Sequence, residues 1–205
     1  MKLLGFPDLE YLCEADEHSL LSQISKSEKP AVAVVPDLAT ISWHNAREDF
    51  VSNELFGRSP EIKGAMVTTE SGLQAWCLWQ CMWAGPNAEH GHTLHVMRLV
   101  VEEGDGSSTH DFSPATEEGV AAVQSSPAVE AVTALFAVAQ KHAAEWDMRQ
   151  VEFWNPNSVA LAAAKKLDES VVVQAREKDS ICSLRWYGKG DGDIDWVCNQ
   201  KFAWC

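Results

Sequence analysis

Three consecutive apolar stretches, each of strand length and separated only by turn residues, place the strongest constraint on how this chain can fold. They cover residues 62–69, 73–84 and 93–103. The first two are separated by 70–72, a connection of hairpin length. The second and third are separated by 85–92, which has the Gly, Pro and Asn content of a loop. Such short connections join antiparallel neighbours, so the stretches predict the centre of a mostly antiparallel sheet.

Apolar residues at helical spacing predict helices before and after these strands. The predicted bounds are 9–25, 38–56, 128–146 and 158–167. We expect Asp8 to cap the first helix and Gly57 to end the second. In the second helix, six apolar residues are predicted to face the core: Ile41, Trp43, Ala46, Phe50, Val51 and Leu55.

Further apolar runs predict strands in the rest of the chain. They cover residues 31–35, 150–154, 171–176, 181–187 and 194–204, and the first is expected to be buried. Residues 104–127 are rich in Ser, Gly, Glu and Thr and are predicted to form a long mobile loop. The order of elements predicts a single α/β domain of the α+β kind over residues 1–205, with residues 1–30 as a helical extension.

The chain is acidic, and its charge restricts the partners that suit it. Thirty residues are Asp or Glu and 16 are Lys or Arg, which gives a net charge of −14. This charge argues against nucleic acid and against an anionic membrane, because both are bound mainly through Lys and Arg. It favours a cationic or neutral small molecule, or a basic protein surface.

The sequence predicts a cytoplasmic protein. No run approaches the roughly 20 apolar residues of a membrane span. Pro7 and Asp8 interrupt the apolar N-terminus before a signal sequence can form. The six cysteines are scattered along the chain and are expected to be reduced thiols.

Six segments spread along the chain, four of them with a tryptophan, form a specific pattern. They are WHNAREDF (43–50), PEIKGA (60–65), TLHVMRL (93–99), AEW (144–146), VEFWNP (151–156) and FAWC (202–205). Together they resemble the C-terminal half of the fungal lysine N-acetyltransferases, in the GNAT superfamily. The resemblance implies a GNAT-like fold, in which helices flank a mixed, mostly antiparallel central sheet. It also implies acetyl-CoA as the family's cofactor and a partner domain, which precedes this region in that family.

Two features of the resembled family are missing from the sequence. A GNAT protein holds the pyrophosphate of acetyl-CoA on a Gly-rich turn between the fourth strand and the following helix. Here that junction carries Glu102, Glu103 and Asp105, and carboxylates repel a pyrophosphate. The family's general-acid tyrosine would stand where this chain has Ala164. We therefore expect no cofactor, with acetyl-CoA as the alternative.

Five residues are candidates for acid–base chemistry: His44, Asp49, Glu102, Glu103 and Cys205. Glu102 and Glu103 end a predicted strand, where the resemblance implies a base. Glu48 and Asp49 both lie about one helical turn after His44, which would allow a His–carboxylate pair. The terminal carboxylate at Cys205 is a candidate by hypothesis, because some multi-domain acetyltransferases use such a group as a base. Ordinary solvent-facing positions are the alternative for the other four.

The nine tryptophans supply most of the candidates for substrate binding. The candidates are five aromatic residues: Trp76, Trp79, Trp83, Trp154 and Tyr187. Trp79 and Trp83 are predicted to share one face of a strand with Cys77 and Cys81, because strand side chains alternate. Such aromatic rings would bind a cationic amine, and packing in the core or in a domain interface is the alternative.

No metal site is predicted. Cys77 and Cys81 would lie about 13 Å apart on a strand, too far to share one ion. His90, His92 and His95 are closer together, but they would need a fourth ligand from elsewhere.

The sequence leaves three hypotheses about function open. In the first, a GNAT-derived domain acts on a small amine or amino-acid-derived molecule in specialised metabolism, without the usual acetyl-CoA machinery. In the second, it is a non-catalytic interaction or substrate-shaping domain that binds a partner domain or a second copy of itself. In the third, it is a lysine-type N-acetyltransferase that uses acetyl-CoA.

Overall fold

A computed structural model of the chain describes residues 1–85, 91–102, 112–175, 181–187 and 194–204. Its strands are β1 (Lys2–Leu4), β2 (Ala31–Val32), β3 (Gly64–Thr68), β4 (Gln74–Met82), β5 (Thr93–Glu102), β6 (Gln150–Phe153) and β7 (Asp195–Trp196). Its α-helices are α1 (Leu9–Ser25), α2 (Leu38–Phe56), α3 (Glu117–Val123), α4 (Pro127–Glu145) and α5 (Ser158–Leu167). Single 3-10 turns lie at Phe6–Asp8 and Lys201–Ala203.

The central sheet has five strands in the order β1-β3-β4-β5-β6. Neighbours are antiparallel from β1 through β5, and β6 then lies parallel to β5. The α-helices flank this sheet, which confirms the predicted mixed, mostly antiparallel α/β architecture. A separate small sheet joins β2 to β7 in parallel.

One face of the sheet is covered by α4 and α5. Apolar residues of α4 at i, i+3 and i+4 spacing, among them Val132, Leu135 and Ala139, pack with Trp79 and Leu94 of the sheet. Ser126 caps α4 and Asn157 caps α5, each through a side-chain oxygen that accepts a backbone N–H. The predicted bounds of both helices are confirmed to within a residue.

The other face of the sheet is covered by α1 and α2. Leu9, Leu12 and Leu20 of α1 pack in a second core cluster with Trp76 of β4 and with Phe202 near the C-terminus. Because β1 pairs with β3 and α1 contributes to this core, residues 1–25 form part of the domain rather than an appendage.

The buried face of α2 is polar, which contradicts the predicted apolar core face. The helix bounds are as predicted, but its buried residues are Ile41, His44, Asn45, Glu48 and Ser52. Of the six predicted core residues, only Ile41 is buried, and Trp43 and Phe50 are exposed at 49% and 68%. The prediction failed because hydrogen bonds and ion pairs, rather than apolar contacts, orient this helix.

Other differences from prediction concern short or irregular segments. Strand pairing in 31–35 is limited to β2, which is half-buried, and 194–204 contains only β7 and a 3-10 turn. The described parts of 171–176 and 181–187 have no strand partner. The predicted loop 104–127 contains α3, which Thr116 caps. Asp8 accepts from the Gly5 backbone N–H and makes no cap for α1.

Among the described helices, none is by itself long and apolar enough to cross a membrane. The pair α3 and α4 has the required length and composition, but these two helices meet at an angle of 98°.

Candidate functional site

The strands β5 and β6 stop pairing after Val96, and the gap between their carboxyl ends is called here the crevice. Residues Thr93–Val96 pair with β6, whereas β5 continues along β4 as far as Glu102. The chain between β5 and β6 passes over the sheet through α4, so the crevice lies where two parallel strands diverge around a crossover helix. Such a point is the usual ligand site of an open sheet.

The crevice is occupied by residues 198–204, called here the C-terminal segment. Asn155, just after β6, donates from its side-chain amide to the carbonyl of Asn199. On the other side, the Leu99 backbone N–H of β5 donates to Gln200 Oε1 at 3.4 Å. Phe202 is fully buried in the core cluster under α1. The segment therefore bridges the two diverging strands.

A buried arginine holds the C-terminal segment to β5 and α1. Arg98 donates from Nε and Nη2 to the two carboxylate oxygens of Asp16, at 2.7 and 2.6 Å, and from Nη1 to Gln200 at 3.1 Å. Burial alone would lower the pKa of Arg98, but Asp16 raises it above its usual range. The guanidinium is therefore permanently charged and fixed in a bidentate pair.

A bulge in β5 explains why Arg98 reaches α1. Leu78 of β4 pairs with Arg98 and Trp79 pairs with Val96, which leaves Met97 as the extra residue. After a bulge, the side chains that follow change faces. Arg98 would otherwise point, like Val96, into the core under α4.

Two more contacts fasten the C-terminal segment. His44 Nε2 of α2 lies 2.8 Å from the carbonyl oxygen of Phe202. Lys201 Nζ lies 4.5 Å from the ring centroid of Trp154, the residue that follows β6. Burial is the largest cause that lowers the pKa of His44, so its ring is neutral at pH 7 and donates from Nε2.

A second polar group holds α2 to the sheet. Lys63 Nζ donates to Glu48 Oε2 and Asp49 Oδ1, each at 2.7 Å, and Glu48 also accepts from the Cys81 backbone N–H. Burial raises the pKa of Glu48, while Lys63 opposes that rise. Burial alone would lower the pKa of Lys63, but Glu48 and Asp49 raise it. The group has two carboxylates and one ammonium.

An aromatic cluster lies beside Lys63, where α4 crosses the end of β4. It consists of Phe56, Trp79, Trp83, His142 and Trp146, with neighbouring ring centroids 5.4 to 6.5 Å apart. Trp79 Nε1 and both ring nitrogens of His142 are buried and have no hydrogen-bond partner among the described residues. Burial is the largest cause that lowers the pKa of His142, so the ring is neutral at pH 7.

Comparison with known proteins assigns the family. Residues 1–205 match the family model described as the LYC1 GNAT-like C-terminal domain. The chain belongs to this family. No curated protein and no solved structure matches it in the two other comparisons. The resemblance inferred from the six sequence segments is therefore confirmed at the level of the family.

The three described acid–base candidates, His44, Asp49 and Glu102, do not meet in one site of this LYC1 GNAT-like domain. The predicted His–carboxylate pair does not form: His44 contacts Phe202, and Glu48 and Asp49 both bind Lys63. Asp49 lies five residues after His44 and therefore points about 140° away from it around the helix axis. Glu102 accepts from Trp76 Nε1 at 3.4 Å. Glu103 and Cys205 lie outside the described residues.

The five predicted aromatic binding residues are also dispersed in the GNAT-like domain. Trp79 and Trp83 share a face of β4 with Cys77 and Cys81, as predicted, whereas Trp76 packs on the opposite face. Trp154 lies at the crevice under Lys201. Tyr187 is 81% exposed and lies against Arg185, at 5.0 Å from its guanidinium carbon. Substrate binding by these residues stays a prediction.

Several residues that organise the sites of this GNAT-like domain were not predicted from the sequence. They are the buried polar residues Asp16, Lys63, Arg98, His142 and Gln200. A signal for Arg98 was present, because a charged residue inside an otherwise apolar strand needs a buried partner. No local signal places Gln200 beside Arg98, since the two are 102 residues apart.

Across the described ranges, no group of three or more His, Cys, Asp or Glu residues is placed to hold a metal ion. His92 accepts from the Ala84 backbone N–H, and His95 lies 3.2 Å from Glu152. His90 lies outside the described residues. The five described cysteines are all free, and burial raises the pKa of Cys77 to about 12.

Proposed function

We propose that this GNAT-like domain does not transfer acetyl groups on its own and serves as an interaction or substrate-shaping domain. The observation that carries the proposal is the C-terminal segment in the crevice. Gln200 accepts from the Leu99 N–H, so this backbone donor of β5 is not free for a ligand inserted along the strand. A ligand would have to displace a segment held by Arg98 and His44.

The N-terminus of α4 supports the same proposal. A helix N-terminus binds phosphate through free backbone N–H groups and its dipole. At α4, Pro127 has no N–H and the Ser126 side chain already accepts from the Val129 N–H. Glu130 in the first turn adds a carboxylate, which is unfavourable for a pyrophosphate.

Calorimetric titration with acetyl-CoA tests this proposal. We expect no saturable heat from the complete chain. A double variant, Gln200→Ala with Lys201→Ala, loosens the C-terminal segment. It distinguishes occlusion of the crevice from a lack of phosphate contacts as the reason for weak binding. If neither protein binds, the missing phosphate contacts are sufficient to prevent binding, and if only the variant binds, occlusion of the crevice prevents it. Saturable one-to-one binding by the unaltered chain would contradict the proposal and support an acetyltransferase.

A second candidate function is recognition of a small amine or amino-acid-derived molecule at the aromatic cluster. Its specific support is the combination of Trp83 and Trp146 with the neighbouring group of Glu48, Asp49 and Lys63, in which carboxylates outnumber the ammonium. Arg58 already lies 4.5 Å from the Trp146 ring centroid, so this ring accepts a cation on its face.

Tryptophan fluorescence can test this second candidate with two probes of equal size. We expect n-butylamine to change the emission saturably and n-butanol to leave it unchanged, because only the amine carries a charge. The Trp146→Leu variant should lose the amine response. Equal responses to both probes would argue against an amine site.

A further inference from the structure

The solvent side of α2 carries two large apolar side chains, Trp43 and Phe50, on one stripe. We define the outer face of α2 as Trp43, Ala46, Arg47, Phe50 and Glu54, which follow each other at three- or four-residue spacing. All five are exposed, and the two aromatic side chains are exposed at about half and two-thirds of their surface. Because the inner face is fixed by Glu48 and His44, the helix cannot rotate to bury these rings.

The two rings stay exposed because the opposite face of α2 is fixed. Exposed aromatic rings on one helix face indicate a contact surface. The charged residues of this face also follow a pattern. Arg47 and Glu54 lie seven residues apart, so they stand on the same edge of the stripe, one on each side of Phe50. Arg47 is positive and lies three residues before Phe50, and Glu54 is negative and lies four residues after it.

This pattern is complementary to itself when one helix is reversed. In a two-fold contact, residue i of one copy meets residue j of the other, and j meets i. An antiparallel pair centred near Phe50 places Arg47 of each copy against Glu54 of the other. A parallel two-fold pair would instead put the charged edges of the two copies on opposite sides of the contact, so Arg47 of one copy would not meet Glu54 of the other.

We propose that the outer face of α2 binds the same face of a second copy of this chain, in an antiparallel, two-fold contact. The inference deepens the part of the proposed function that treats the chain as an interaction domain, and it names the partner. One helix face is small compared with the roughly 800 Å² per partner of a standard interface. The dimer is therefore weak, with a dissociation constant in the micromolar range or above.

Sedimentation velocity over a concentration series of the complete chain tests the proposal. We expect a reversible shift from monomer to dimer as concentration rises. Phe50→Asp should weaken dimerisation by about tenfold or more, because it places two carboxylates at the two-fold axis. Val172→Asp is the matched control, since Val172 is 72% exposed and lies outside α2, and it should leave the dimer unchanged. Circular dichroism checks that each variant is folded.

Charge exchange tests the identity of the partner. Arg47→Glu alone and Glu54→Arg alone should each weaken the dimer, and the double variant should restore it, because both contacts are then reversed. A chain that stays monomeric throughout the series would overturn the proposal. So would a dimer insensitive to Phe50→Asp, or a double variant as weak as the single ones, which would assign the face to a different protein. These outcomes do not depend on acetyl-CoA titration, so the two proposals can fail separately.

Discussion

The face of the sheet under α4 and α5 and the face under α1 and α2 are packed by different kinds of side chain. On the first, α4 buries Val132, Leu135 and similar residues, and the contact area itself sets its position. On the second, α2 buries His44 and Glu48 and leaves Phe50 in solvent. The first face resembles an ordinary core, whereas the second combines the apolar contacts of α1 with specific buried polar pairs.

The buried ion pairs lie on the face under α1 and α2. Buried ion pairs contribute little net stability, because desolvation offsets their attraction, but they fix geometry when both partners are present. On the second face, Arg98 holds the C-terminal segment through Gln200. Lys63 holds α2 through Glu48 and so fixes which face of the helix points to solvent. Both the crevice and the proposed dimer contact therefore depend on the α1/α2 side.

The largest expected effect comes from breaking the pair that anchors the C-terminal segment. Arg98→Met removes the guanidinium that pairs with the buried Asp16 carboxylate, so we expect a loss of about 3–5 kcal/mol in the free energy of unfolding. Lys166→Met is the matched control, because its ion pair with Glu130 is exposed and should contribute no more than about 1 kcal/mol. Urea denaturation measures both. Equal losses would show that the Arg98 pair has no special role.

Truncation of an apolar side chain on each face should give the next largest difference in the free energy of unfolding. Leu135→Ala opens a cavity in the core under α4, and we expect a loss of about 2–5 kcal/mol. Phe50→Ala removes a ring that solvent already reaches in the monomer and should change stability by no more than about 0.5 kcal/mol. The measurement is urea denaturation at low protein concentration, and a large loss for Phe50→Ala would place this ring in the core.

Two buried histidines, one on each face, give a smaller and pH-dependent contrast. Burial lowers the pKa of His44 and of His142 below 6.5, so the unfolded chain binds more protons than the folded chain as pH falls below 6.5. Their contribution is complete above that pH and is lost as pH falls. Replacing either by Phe should flatten the decline in stability between about pH 7.5 and 5.5.

The same two variants should differ at pH 7.5. His44→Phe leaves the Phe202 carbonyl without its donor and should cost about 1–3 kcal/mol. His142→Phe removes two ring nitrogens that have no partner in the described part of the chain, so it should be neutral or stabilising. A loss of similar size in both variants would indicate that His142 has a partner after all.

The sequence predicted the elements that form through local pattern. The α4 periodicity, the Ser158–Leu167 helix and the three central strands required only neighbours along the chain, and each is present. The family resemblance was also accessible, because it rests on contiguous segments such as residues 151–156.

The orientation of α2 and the content of the crevice were not predictable in the same way. Apolar periodicity favours burial of Trp43 and Phe50, but Lys63 and Phe202, distant in sequence, select the opposite face. Similarly, a single extra residue, Met97, directs Arg98 towards α1. These outcomes depend on long-range polar partners that no local window contains.

If the C-terminal segment occupies the crevice along β5, the Leu99 amide is protected from solvent by Gln200. NMR-detected hydrogen exchange can follow this amide in the complete chain and in Gln200→Ala. We predict strong protection of Leu99 in the unaltered chain and faster exchange in the variant, with the Cys77 amide of β4 equally protected in both. A Leu99 amide that exchanges at the same rate in both proteins would contradict the claim.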